Sequence, residues 1–140
     1  MTEGARNLFA NLAADYIKKG YPLPTAMTFE ALDLAMERWC SELRAAGLLK
    51  QVAAYWTLTD QAINSIVRNT PMSTEAKELL AELKSKYVAD GYPPRHGWSI
   101  EPDGRTSARA FNELRARGYL EPLTAEWYKF SEAAVRRMTA

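Results

Sequence analysis

Residues 16–22 read YIKKGYP and residues 87–93 read YVADGYP, the same phrase 71 positions apart in a chain of 140 residues. Sliding the chain against itself at that offset extends the match far beyond the phrase. Between 16–49 and 87–120 the identical pairs are Tyr16/Tyr87, Gly20/Gly91, Tyr21/Tyr92, Pro22/Pro93, Glu30/Glu101, Arg38/Arg109, Glu42/Glu113, Leu43/Leu114, Arg44/Arg115, Ala45/Ala116, Gly47/Gly118 and Leu49/Leu120, without a gap. Upstream, Leu8/Leu79, Ala10/Ala81 and Leu12/Leu83 keep the register, and downstream WTLTDQA matches WYKFSEAA after a slip of one residue. A fixed internal period signals a duplicated structural unit. The chain therefore reads as two copies of one module, 1–70 and 71–140, joined near Asn69-Thr70-Pro71-Met72, where the proline stops a helix and Ser73 or Thr74 can cap the next.

Each module runs through the same periodicities. LFANLAADYIKKG places Phe9, Leu12, Ala13, Tyr16 and Ile17 at helical spacing, and AKELLAELKSKYVADG does so with Ala76, Leu79, Leu80, Leu83 and Tyr87. Both patterns stop at a glycine, Gly20 or Gly91, the usual left-handed terminator. A proline-containing connector follows, then a second helix that ends in ELRAAG or ELRARG. GLLKQVAAYWTL and GYLEPLTAEWYKF next predict a small hairpin, and Thr59 and Ser131 look like caps on closing helices. The tyrosines and prolines of the two GYP phrases are expected to pack the connector against the first helix.

Composition excludes several classes. The chain is 47% apolar and 25% charged, the balance of a globular domain with a core. It holds no apolar run of membrane-spanning length, and MTEGARNLF does not have the basic-then-apolar pattern of a leader, so no membrane association and a cytoplasmic location are expected. One cysteine and one histidine cannot build a four-ligand metal site, so no metal or cofactor is expected. Cys40 reads as a buried structural thiol and His96 as a surface residue in a Pro- and Gly-rich loop. Trp39, Trp56 and Trp127 read as core anchors, whereas Trp98, in the irregular loop, could contact a partner. The sequence DGR at 103–105 reads as a turn. No pair of carboxylates, and no nucleophile with a base, can be assigned together, so no catalytic residue is named and no enzyme is expected. The net charge of +1 sets no expectation about partners by itself.

TSARAFNELRARGYLE, followed by a hairpin and FSEAA, resembles the recognition helix and wing of winged helix-turn-helix proteins. The copy LAMERWCSELRAAGLLKQVAAYWTLTDQA is similar, with LTDQA at the step that follows the wing. The resemblance implies a mainly α fold with small β-hairpin wings, two tandem winged helix-turn-helix modules, and a helix in each that can enter the major groove of DNA. The family's short helix before the recognition helix is weak in this chain, above all in YPPRHGWSIEPDGR, whose prolines and glycines favour a loop.

On a helix in the second module, Ser107, Phe111, Leu114 and Gly118 share an inward face, and Arg105, Arg109, Asn112 and Ala116 the opposite one. Arginine can bond guanine bidentately and asparagine adenine, while Arg95, Arg115, Arg117 and a hydroxyl such as Thr106 can hold phosphates. In the first module, Met36, Cys40, Leu43 and Gly47 face inward, and Leu34, Arg38, Ser41 and Ala45 outward, with Arg44 beside them. Residues 28–46 carry Glu30, Asp33, Glu37 and Glu42 against Arg38 and Arg44, whereas 95–117 carry five arginines against three acids. The second module is thus expected to read double-stranded DNA through Arg95, Arg105, Thr106, Arg109, Asn112, Arg115 and Arg117. The first, with Arg38, Ser41 and Arg44 as its candidates, is expected to have drifted toward a protein partner or self-association. The wings KQVAAYW and EPLTAEW offer one lysine against two glutamates, a poor clamp for phosphates.

Two functions follow as expectations. The first is a sequence-specific DNA-binding protein, a small transcriptional regulator or replication initiator of phage or mobile-element type. The alternative is a protein-interaction adaptor that uses its winged helices as packing blocks.

Overall fold

Thr2, with its backbone extended, turns its hydroxyl to accept the Ala5 N–H, and from there the chain runs helical as α1, Glu3–Lys18. Prolines 22 and 24 hold the next stretch out of a regular helix, leaving a single 3-10 turn at Pro24–Ala26. Phe29 then forms a one-residue antiparallel bridge with Trp56. Asp33 caps α2 (Leu34–Ala45) by accepting the Met36 N–H at 2.8 Å. Strands β1 (Leu49–Val52) and β2 (Tyr55–Leu58) pair antiparallel with Leu49 opposite Leu58 and Val52 opposite Tyr55. Helix α3 (Asp60–Arg68) closes the unit and buries Ala62, Ile63, Ile66 and Val67.

The second half repeats this order. Ser73 is the residue that caps α4 (Thr74–Ala89). Ile100 bridges to Tyr128 as Phe29 does to Trp56. Helix α5 (Ala108–Ala116) leads into β3 (Leu120–Pro122) and β4 (Tyr128–Phe130), with Leu120 opposite Phe130, and α6 (Glu132–Thr139) follows. This computed structural model describes residues 1–94, 97–102, 108–123 and 127–139. The chain divides into two compact units, Met1–Asn69 and Thr70–Ala140, both mainly helical with one two-stranded hairpin.

The repeated phrase now has a physical account. Gly20 sits at φ 84° and Tyr21 at φ 57°; Gly91 and Tyr92 repeat this at 82° and 54°. The left-handed turn at Gly20 lets its N–H reach the Ile17 carbonyl and the Tyr21 N–H the Tyr16 carbonyl, which satisfies the last carbonyls of α1. The same pair of bonds closes α4, from Gly91 to Val88 and from Tyr92 to Tyr87. The tyrosine after the glycine packs edge-on against the tyrosine five residues before it, with ring centroids 5.6 Å apart in the first unit and 6.0 Å in the second. The ring contact offsets the strain of a bulky residue at positive φ. Proline follows because the chain must leave in an extended conformation, and the Tyr87 hydroxyl ties it down by donating to the Pro93 carbonyl at 2.6 Å. Helices α2 and α5 end in the same hydrogen-bond pattern at Gly47 and Gly118.

A second duplicated device anchors the hairpins. Thr59 accepts the Ala62 N–H to cap α3 and donates its hydroxyl to the Gly47 carbonyl at 2.6 Å, joining α3 to the end of α2. Ser131 does the same with Ala134 and Gly118, also at 2.6 Å. The core of the first unit gathers Tyr16, Tyr21, Cys40, Leu43, Leu49 and Leu58. That of the second gathers Leu79, Leu83, Tyr87, Phe111, Leu114 and Phe130.

Two tryptophan expectations change. Trp127 is 36% exposed and anchors no core. Trp98 is instead a packing residue: it stacks on Phe130 with centroids 5.2 Å apart and donates its indole N–H to Asp90. Trp39 crosses α1 at Gly4, where an added Cβ would lie 2.3 Å from the indole. The repeat carries Glu75 and Ala110 at the matching positions, so the small and large partners have exchanged sides. His96 and the DGR turn fall outside the described residues.

Candidate nucleic-acid interface

Helix α5 is fixed from its buried side. Ala110, Phe111 and Leu114 are at most 3% exposed and face α4 and the hairpin, and Phe111 stacks on Tyr128 of β4. Arg109, Asn112, Arg115 and Ala116 stand part-exposed around the rest of the helix. The Arg115 guanidinium donates to Asn112 Oδ1 at 3.2 Å, holding the amide and the cation side by side. Of the other residues expected here, Arg95, Arg105, Thr106 and Ser107 lie outside the described residues. Gly118, expected to face inward, is exposed and serves as the helix terminator.

Arg117 has a different environment from the one its sequence position suggests. Its side chain is only 10% exposed, its Nε donates to Glu113 at 2.9 Å and its Nη2 donates to the Thr70 carbonyl at 2.9 Å. A guanidinium held this way is committed to the fold, and we leave Arg117 out of the contact set.

Glu113 is the residue that reading by faces missed. It is fully buried, and its carboxylate accepts the Ser73 N–H at 3.0 Å, the Ser73 hydroxyl at 2.7 Å and the Arg117 Nε. Burial pushes its pKa up, but the two bonds from Ser73 and the Arg117 charge outweigh that and hold it below the ordinary carboxylate value. The carboxylate thereby pins the N-terminus of α4 to the middle of α5 and fixes the angle at which α5 presents its outer face. In the first unit Glu42 accepts both the N–H and the hydroxyl of Thr2, the hydroxyl at 2.7 Å, and the Thr2 hydroxyl lowers its pKa. The signal was present in the sequence: Thr2 and Ser73, like Glu42 and Glu113, are 71 apart, so a hydroxyl and an acid recur together.

The first unit presents a different surface. Arg38 and Ser41 are exposed on α2, and Arg44 donates to Gln51 of β1 while its guanidinium lies 5.8 Å from the Trp56 ring centroid. Between α2 and the hairpin runs a groove of about 520 Å³ lined by Glu30, Ala31, Glu37, Ser41, Arg44, Gln51, Ala54 and Trp56. Two carboxylates, Glu30 and Glu37, thus share the groove with the Arg44 guanidinium. Cys40 lies beneath, fully buried; burial, and then the Glu37 charge, raise its pKa, so the thiol stays protonated and unreactive near neutrality. Among the described residues no His, Cys, Asp and Glu cluster could hold a metal ion, and no helix is long and apolar enough to cross a membrane.

No protein-family model, no curated protein and no solved structure matches the chain. The likeness to winged helices is one of sequence pattern; the structure shows a mainly helical chain with two small antiparallel hairpins.

Proposed function

We propose that the chain is a double-stranded DNA-binding protein of winged helix-turn-helix type, in which α5 of the second unit reads the duplex and no catalysis is involved. The observation that carries this reading is the outer side of α5, where Arg109, Asn112 and Arg115 stand together on a helix locked from behind by Phe111, Leu114 and the buried Glu113. Arginine and asparagine are the side chains that bond guanine and adenine through two contacts each, and a helix is the element that fits a major groove. In the cell such a protein would act as a small transcriptional regulator or a replication initiator, of the kind a phage or mobile element carries. Selection from a pool of random-sequence duplexes at low salt tests the proposal. The full chain should enrich a motif, and failure to retain any duplex would sink the reading.

A second reading, a protein-interaction adaptor, draws support from the first unit. Leu32 and Leu34 are 85% and 74% exposed beside the acid-lined groove, an arrangement suited to a polypeptide partner.

A further inference from the structure

We infer that the groove between α2 and the β1–β2 hairpin is a docking site for a polypeptide segment that carries a lysine or arginine flanked by apolar side chains. The inference stands on the first unit alone and does not depend on DNA binding by the second. Along α2 the residues Leu34, Glu37, Ser41 and Arg44 form one row at three- and four-residue spacing, and the last three line the groove. Glu30 faces them from the segment that bridges to β2. Among the described residues neither Glu30 nor Glu37 has an ion-pair or side-chain hydrogen-bond partner. In contrast the acid on the inner side of the same helix, Glu42, is bonded to Thr2, and the cation in the groove, Arg44, is bonded to Gln51 and packed on Trp56.

The groove's charge is therefore left uncompensated at one end and satisfied at the other. A basic side chain from a partner would meet two carboxylates there. Its apolar neighbours would cover Ala31, Ala54 and the exposed Leu34, whose contact with water is otherwise unfavourable. A phosphate backbone or an anionic lipid surface would instead meet like charge. Polypeptide is thus the occupant that the surface fits.

The test is selection of a phage-displayed library of short random peptides on the full chain and, in parallel, on the Glu30→Lys/Glu37→Lys variant. Both acids are exposed and unbonded, so the variant should keep the wild-type amide spectrum outside the groove. The expected result is enrichment of sequences with lysine or arginine next to leucine, isoleucine or phenylalanine. Binding should weaken about tenfold or more in the variant, and the amides of Ser41, Gln51 and Ala54 should shift on titration with an enriched peptide. The inference is overturned if no sequence is enriched, if enriched peptides carry no cation, if charge reversal leaves binding unchanged, or if the shifted amides lie elsewhere.

Discussion

Truncating Glu113 to alanine removes a single carboxylate and strands two groups at once. The side chain is fully buried and accepts three hydrogen bonds, two from Ser73 and one from Arg117. Without it the α4 cap N–H loses its acceptor, and Arg117, 10% exposed, loses the carboxylate that its Nε bonds. Breaking a buried ion pair from one side costs about 3–5 kcal/mol, mostly because the remaining charge is left desolvated. A unit of this size has roughly 4–10 kcal/mol in total, so Glu113→Ala should remove a large part of the second unit's stability. Urea unfolding read by amide hydrogen exchange, resolved to α4 and α5 on one side and α1 and α2 on the other, separates the units. Glu42→Ala serves as the control, because Glu42 is 30% exposed and has no buried arginine depending on it, and its effect should be clearly smaller. Adding Arg117→Met to Glu113→Ala should recover part of the loss, since the desolvated charge is gone. A loss below about 1 kcal/mol in Glu113→Ala, or equal losses at Glu42 and Glu113, would refute the idea that this buried pair fixes α5.

Three further outcomes are expected. Glu113 has a folded pKa below its unfolded one, so its contribution is present at neutral pH and lost as pH falls from about 4.5 through the folded pKa; acid titration of the second unit should show this loss, and Glu113→Gln should flatten it. Gly4→Ala places a methyl against the Trp39 indole and should cost the first unit about 1–3 kcal/mol in urea unfolding, with relief when Trp39→Ala is added. Ala53 holds φ 56° at the β1–β2 turn, so Ala53→Gly should stabilise the first unit by about 0.5–1 kcal/mol, read as a shift in its unfolding midpoint.

What the sequence revealed were the features written locally. Helix ends at Gly20, Gly47, Gly91 and Gly118, caps at Thr59 and Ser131, and two short hairpins all follow from residues within a few positions of one another. Two contacts join residues 40 and 47 positions apart, and only the recurrence of a hydroxyl and an acid at the 71-residue period pointed to the first. The Ser73–Glu113 bond and the Arg117–Thr70 contact turned an apparent surface arginine into a fold residue and an apparent surface acid into a core one. The positive φ of Tyr21 and Tyr92 was also invisible, since tyrosine is an unexpected choice for that conformation, and only the facing Tyr16 and Tyr87 rings make it intelligible. Of the basic face expected on α5, Arg109, Asn112 and Arg115 stand part-exposed, and Arg95, Arg105 and Thr106 fall outside the described residues.

The most direct test of DNA reading by α5 is the affinity of the full chain for a selected duplex across a salt series, for the wild type, for Arg109→Ala/Asn112→Ala and for Arg38→Ala. The account predicts steep weakening with salt and a loss of about 1–3 kcal/mol for each base-reading side chain removed from α5, with little change at Arg38. Equal losses at the two helices, or affinity indifferent to the α5 substitutions, would contradict it.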